Sequence, residues 1–237
     1  MGRFGKRIRN KAVKGDVSVS MYDKAKKKAM ALDKETNAQA RAAGGELNAS
    51  TSLVTSVHLS FILYHEFGVG AQRFWRVNNR IKHYSSCVDD ELVTYDMLVD
   101  GMIRGRDWEN GRVIGLGWSD YKEHSTLKPL TIEIENAGKI STNELRAQML
   151  KHKKQSAVET VYQAIEILMI TALQDELDWG KSKIKKLVSI LRRARESWDI
   201  VRYEHIVDVL MKRGLLDDSA LDKKMLMKAR LAVDGLM

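Results

Sequence analysis

The sequence is poor in residues that break helices or cross-link chains. It has one proline and one cysteine, Cys87, among 237 residues. Proline is the strongest helix breaker, so this chain, rich in alanine, leucine, lysine, arginine, glutamate and methionine, favours a mainly α fold. A lone cysteine excludes an intramolecular disulfide and a cysteine-type zinc site, and its rarity fits a reducing, cytoplasmic setting.

Long apolar runs are also missing. No stretch approaches the roughly 18 apolar residues of a membrane span, and no apolar signal-peptide core follows Lys14 at the basic N-terminus. We therefore expect neither a membrane partner nor secretion. Hydrophobic residues make up 44% and charged residues 30% of the chain, which is ordinary for a globular protein large enough to bury a core.

Nucleotide-binding motifs are absent. The glycine-rich segment 112–119 lacks the Lys-Ser/Thr pair that grips phosphate and magnesium in a P-loop. The Gly-x-Gly pairs at 68–70 and 115–117 lack the third glycine and the βαβ context of a dinucleotide site. We predict no cofactor.

Metal and nucleophile constellations are weak. His58 and His65 could share a helix face, but no carboxylate stands at a ligand spacing from them. Cys87, predicted on a loop, has only His83 as a local base. We therefore predict no metal site, no catalytic residue and no enzymatic activity. The weaker alternative is an enzyme site around His65 and Tyr95.

The positive charge is concentrated at the N-terminus. The formal net charge is +9, and residues 1–43 contribute +8 through twelve Lys/Arg and four acids. Residues 1–19 form a predicted basic arm, which is either a solubilising tail or an arm that contacts phosphates without sequence preference. Its cations are Arg3, Lys6, Arg7, Arg9, Lys11 and Lys14.

The remaining chain divides into helical segments and one connector. A helix over 20–45 is expected to end at Gly44-Gly45. The other predicted parts are a first helical unit (46–105), a β-like connector (106–140), a second helical unit (141–216) and a C-terminal helix (217–237). In the connector, 112–119 and 130–136 alternate as strands do, and Asn110-Gly111 is a turn signal.

The two helical units appear duplicated in the sequence. At an offset of 110 residues, HEFGVGAQRFWRVNNRI from His65 aligns with DELDWGKSKIKKLVSIL from Asp175. At an offset of 108, LVTYDMLVD from Leu92 aligns with IVRYEHIVD from Ile200. Helical periodicity alone does not explain a shared glycine break, Tyr-acid pair and Val-Asp pair in one order. We therefore predict two copies of a helix–Gly turn–helix–helix unit.

The first glycine turn carries a family resemblance. Its segment resembles the pattern LHxEFGFGxxRLxR of small, functionally unassigned phage proteins of Gram-positive bacteria, with Val69 replacing an aromatic residue and Phe74 a leucine. The resemblance covers about 50 residues. It implies a phage origin, hence the host cytoplasm, and no activity comes with it. The matching residues are Leu63, His65, Glu66, Phe67, Gly68, Gly70, Arg73 and Phe74.

The helices that follow the glycine turns are basic. The first has four cations and the second has seven, with no acid among residues 71–84 or 181–195. A helix–turn–helix unit with a basic second helix suits nucleic acid, whereas the simpler interpretation is a solvated face. The predicted phosphate-contacting residues are Arg73, Arg76, Arg80, Lys82, Lys181, Lys183, Lys185, Lys186, Arg192, Arg193 and Arg195.

The leading prediction is thus a non-enzymatic, phage-type nucleic-acid-binding or regulatory protein, whose partner is DNA or RNA. Asn78 and Asn79 could read adenine edges, although the second copy has no equivalent. The alternative is a protein-interaction module, such as an inhibitor of a host defence or nucleic-acid enzyme, or a virion assembly component. The partner would then be a host or phage protein.

Overall fold

A computed structural model describes residues 16–104, 106–107, 112–113, 115–118, 121, 141–216 and 222–234. The fold is mainly α, as predicted. Its helices are α1 (Asp16–Phe67), α2 (Ala71–Asp89), α3 (Tyr95–Arg104), α4 (Thr142–Leu177), α5 (Lys181–Ser197), α6 (Ile200–Lys212) and α7 (Lys223–Asp234). The arm cations between Arg3 and Lys14 lie outside the described residues, whereas 16–19, also assigned to the arm, belong to α1.

Three helices are longer than predicted because their sequences contain no obligatory stop. α1 runs through Gly44-Gly45 without a break. Glycine weakens a helix interior by about 1 kcal/mol but ends it only where the backbone turns left-handed. The two helices predicted over 141–152 and 158–177 are one helix, α4, since no glycine or proline separates them. Likewise α2 extends to Asp89, so Cys87 lies in a helix and not on a loop.

In the described part of the connector, the β structure is one short pairing. β1 (Arg106–Asp107) pairs antiparallel with β2 (Arg112–Val113), with Arg106 opposite Val113. The strand predicted over 112–119 is wrong beyond β2, because 115–118 has no regular secondary structure. Gly115 lies against α3, where a Cβ atom would be 1.5 Å from the Gly101 carbonyl oxygen. The strand predicted over 130–136 lies outside the described residues.

The chain divides into two compact units that differ from the predicted boundaries. Unit 1 comprises 1–45 and 128–157, and unit 2 comprises 46–127 and 158–237. The predicted helical units 46–105 and 141–216 are therefore not separate bodies, since 158–216 shares unit 2 with the first. The boundary in α1 falls at the Gly44-Gly45 pair, although the helix continues there.

Unit 1 has a small core between the two helix segments that it contains. Leu32, Leu145 and Met149 form an apolar cluster. Beside it, Lys153 Nζ lies 2.7 Å from Asp33 Oδ1 and 2.9 Å from Thr36 Oγ1. One apolar cluster with polar contacts beside it is enough to pair the two amphipathic segments.

Unit 2 contains the main core. Apolar residues at helical spacing in α1, α4, α5 and α6 are almost fully buried, and α2, α3 and α7 add smaller faces. By length and composition α4 could cross a membrane, with half of the relevant window buried inside the protein. Its residues Ile167 to Ile170 and Leu173 pack in this core.

Candidate nucleic-acid interface

Two turns with the same backbone conformation directly precede the basic helices α2 and α5. Gly68 and Asp178 both have left-handed backbones, with φ of 62° and 50°. Gly70 and Gly180 are both extended N-cap residues, with φ, ψ of −70°, 164° and −76°, 168°. The turns therefore correspond residue by residue at the predicted offset.

The hydrogen bonds that close the turns correspond at the same offset. In the first turn the backbone N–H groups of Gly68, Val69 and Phe74 donate to the carbonyls of Tyr64 (3.2 Å), Leu63 (2.9 Å) and Gly70 (3.0 Å). In the second, those of Asp178, Trp179 and Ile184 donate to Gln174 (3.0 Å), Leu173 (3.4 Å) and Gly180 (3.2 Å). The shared geometry supports the duplication, whose common origin stays a prediction.

The two turns lie side by side in unit 2. The rings of Phe67 and Trp179 are 4.8 Å apart between centroids. Lys186 Nζ lies 5.4 Å from the centroid of Phe67, and Lys183 Nζ lies 5.4 Å from that of Trp179. A cation at this distance from a ring is held by the negative face of the π system. The starts of α2 and α5 are thus neighbours, with two exposed lysines beside the aromatic pair.

Glu176, near the end of α4, binds two arginines of α2 in this region. Its carboxylate accepts hydrogen bonds from Arg76 Nη2 (2.9 Å) and Arg80 Nε (2.9 Å), which lower the pKa of Glu176, the bond from Arg80 more strongly. Arg76 nevertheless keeps 59% of its side chain exposed. Arg73, one turn earlier on the same face of α2, is exposed. We define the paired-turn surface as Arg73, Arg76, Lys183 and Lys186 around the Phe67–Trp179 pair.

Two predicted phosphate-binding arginines of α5 turn inward. Arg192 Nη2 lies 2.7 Å from Glu166 Oε1, and the Glu166 side chain is only 7% exposed. Arg195 pairs with Glu159, and its guanidinium lies 3.7 Å from the centroid of the Tyr162 ring. These arginines hold α5 against α4, so we remove them from the candidate interface.

The other predicted cations occupy different surroundings. Lys181 Nζ donates to the Gly117 carbonyl at 3.1 Å, and Lys185 Nζ lies 5.5 Å from the centroid of Trp118. Arg193 is exposed, and its Nε donates to the carbonyl of Ser189, one turn earlier. Lys82 is exposed at the mouth of a groove between α1, α2 and α4. Because none of these contacts involves the Phe67–Trp179 pair, we do not include these four cations in the paired-turn surface.

The histidine and the cysteine considered for catalysis contact residues of their own helices. His65 is exposed, stacks on Phe61 and contacts Glu66 at 3.2 Å, whereas Tyr95 is half-buried. Cys87 Sγ lies 3.8 Å from His83 Nε2. Within the described parts of the chain, no group of three or more His, Cys, Asp or Glu side chains could hold a metal ion.

The acids that pair with the arginines of α5 were not predicted from the sequence. Glu166 is an isolated acid in the apolar run AIEILMI, and Glu159 lies two turns before it. A lone carboxylate in an apolar helix must find a cation when it is buried, because an unpaired buried charge is costly. That signal, read together with the basic helix α5, could have predicted the inward arginines.

Comparison with known protein families, curated proteins and solved structures finds no match to this chain.

Proposed function

We propose that the protein is a non-enzymatic, phage-type nucleic-acid-binding or regulatory protein that contacts phosphates through the paired-turn surface. The observation that supports this proposal is the adjacency of two helix N-termini surrounded by exposed cations. In α2 and α5, which are described over their whole length, the first turn has no acid and the N-cap has no side-chain hydrogen bond. The arm cations between Arg3 and Lys14 add to the positive charge of the chain.

A helix N-terminus suits an anion for two reasons. The first backbone N–H groups have no partner within the helix, and the helix dipole places a partial positive charge there. Two such ends beside Lys183, Lys186, Arg73 and Arg76 form a surface that fits consecutive phosphates. Such contacts carry no base information, so we expect binding with little sequence preference.

One observation favours the alternative of a protein-interaction module. Leu92 and Met97, close together in sequence at the start of α3, are 69% and 58% exposed. A contiguous exposed apolar patch often marks a protein-interaction site, and these two side chains would contribute to one. The exposed Asp178 next to Gly180 would also oppose phosphate and favour a mixed-charge protein partner.

The test is fluorescence anisotropy with random duplex and single-stranded oligonucleotides over a salt series. We expect binding that weakens steeply with salt, with a slope of about −0.9 in log K per phosphate contact on duplex DNA. Reversing Lys183 and Lys186 to Glu should weaken binding and reduce the slope by about 2. Absence of binding at low salt would reject the proposal.

A matched control separates local contacts from net charge. Lys212→Glu with Lys224→Glu reverses two exposed lysines of α6 and α7. It should leave most of the affinity intact if the paired-turn surface binds. Equal losses in both double variants would show that only the net charge matters. Arg192 is unsuitable for reversal, because its loss would leave the buried Glu166 unpaired.

A further inference from the structure

A groove of about 260 Å³ lies between α1, α2 and α4 in unit 2. Its floor is apolar and includes Leu59, Leu63, Val77 and Leu168. A binding site for a small molecule typically combines such a floor with a few polar groups that fix orientation. This volume is slightly below the usual range for drug-sized ligands, and it is enough for one ring and a short side chain.

The polar residues of the groove can donate hydrogen bonds, and none of its lining residues is acidic. Ser52, Ser56 and Ser60 recur at every fourth position of α1 and so line one face. The hydroxyl of Ser60 already donates to the Ser56 carbonyl at 2.6 Å, so Ser52 and Ser56 are the serines of this face that we consider as donors to a ligand. Lys82, on α2, is exposed and forms no ion pair within the described residues. The groove therefore favours a ligand with negative charge.

The equivalent place on α4 and α5 is filled by the chain itself. At the offset of 110 residues that relates the two turns, Ser56 corresponds to Glu166 and Lys82 to Arg192. Tyr121 is fully buried there, and its hydroxyl donates to Glu166 Oε1 at 3.2 Å, the atom that Arg192 also contacts. The protein thus places a phenol ring against the carboxylate–arginine pair.

The groove has a cation, Lys82, that corresponds to Arg192, but it has no carboxylate that corresponds to Glu166. Ser56 takes the place of Glu166, and Lys82 takes the place of Arg192. The groove therefore presents hydrogen-bond donors at the position where the carboxylate of Glu166 accepts hydrogen bonds. We propose that the groove binds a small aromatic carboxylate, with its ring on the apolar floor and its carboxylate near Lys82 and Ser56. The ligand supplies the negative charge that Glu166 supplies in the other place. This inference is independent of nucleic-acid binding.

Isothermal titration calorimetry of the full chain tests the proposal with three probes that share one apolar body. These are 4-phenylbutyrate, 4-phenylbutanol and 4-phenylbutylamine. We expect saturable binding of the acid at one site, with at least tenfold weaker binding of the alcohol and none of the amine. Equal affinity for acid and alcohol, or no saturable binding of the acid up to about 10 mM, would overturn the proposal.

Variants locate the site. Lys82→Met keeps the apolar stem and should weaken acid binding about tenfold, close to the value of one charged contact, without changing alcohol binding. The matched control Lys224→Met, which removes an exposed lysine of α7 outside the groove, should change neither affinity. Ser56→Phe should fill the groove and abolish acid binding. Unchanged acid binding in Lys82→Met would overturn the proposal, even if Ser56→Phe did not fold.

Discussion

Gly68 and Asp178, separated by 110 positions, have the same left-handed backbone conformation, with φ of 62° and 50°. Each is two residues before the extended glycine that begins a basic helix, Gly70 before α2 and Gly180 before α5. A side chain is strained in this region, although aspartate tolerates it better than most residues. The two turns therefore have the same backbone geometry, but the second turn is more strained because it has a side chain at the left-handed position.

This inequality predicts opposite effects of two substitutions. Gly68→Ala should lower the free energy of unfolding by about 1 to 2 kcal/mol, because alanine is strained at positive φ. Asp178→Gly should change it little or raise it by up to about 1 kcal/mol, since glycine relieves strain but adds unfolded-state entropy. Urea unfolding followed by circular dichroism measures both. A Gly68→Ala protein as stable as wild type would contradict the left-handed turn.

The buried ion pair between Glu166 and Arg192 predicts a second difference. Glu166→Gln should cost about 2 kcal/mol, below the full value for a buried pair because Arg192 is 37% exposed. Glu159→Gln is the matched control on the same two helices, and it should cost less than about 1 kcal/mol because Glu159 is 41% exposed. Chemical unfolding of both variants is the measurement. The reverse order of costs would show that the first pair is not the one holding α5 to α4.

Two glycines should respond in opposite ways to alanine. Gly115→Ala would place a methyl group 1.5 Å from the Gly101 carbonyl oxygen, so the connector must move away from α3. We expect a loss of at least about 2 kcal/mol. Gly44→Ala has open space around its new Cβ and lies inside α1, so it should stabilise the helix by about 0.5 to 1 kcal/mol. Thermal unfolding tests both, and a destabilising Gly44→Ala would contradict the continuous helix.

His58 predicts a pH dependence of stability. The side chain is fully buried, with its ring 5.0 Å from Trp198 and 5.6 Å from Tyr203 between centroids. Burial, and then the positive charges of Arg230 and Arg195, lower the pKa of His58 from 6.5 to about 3. Between these values the unfolded chain binds a proton that the folded protein does not. Stability should therefore fall with decreasing pH, by up to about 1.4 kcal/mol per pH unit from this group.

The variant His58→Phe isolates that contribution. Neither ring nitrogen of His58 has a hydrogen-bond partner among the described residues, so phenylalanine loses no bond and keeps the edge-on aromatic contacts. The variant should be at least as stable as wild type at pH 7.5, and its advantage should grow between about pH 6.5 and pH 3. A constant difference between the two proteins over this range would show that His58 titrates normally.

Much of the local structure follows from the sequence alone. The glycine turns after Phe67 and Leu177 and the starts of α2 and α5 were predictable, because a glycine break and a return of apolar periodicity are local signals. Helix ends were also predicted at Gly44-Gly45 and near His152, and both predictions are wrong. Glycine and polar residues lower helix propensity without imposing a stop, so packing along the helix can override them.

The sequence by itself determined a helical chain with two basic helices, each of which directly follows a glycine turn. Only the tertiary structure decided which cations face the solvent, because that depends on which acid lies across from each one. Arg192 and Arg193 are neighbours with the same charge, yet Glu166 holds the first inward while the second is exposed. Likewise, only the packing of α1 against α4 shows that the two predicted units share one core, since contacts between distant segments leave no local signal.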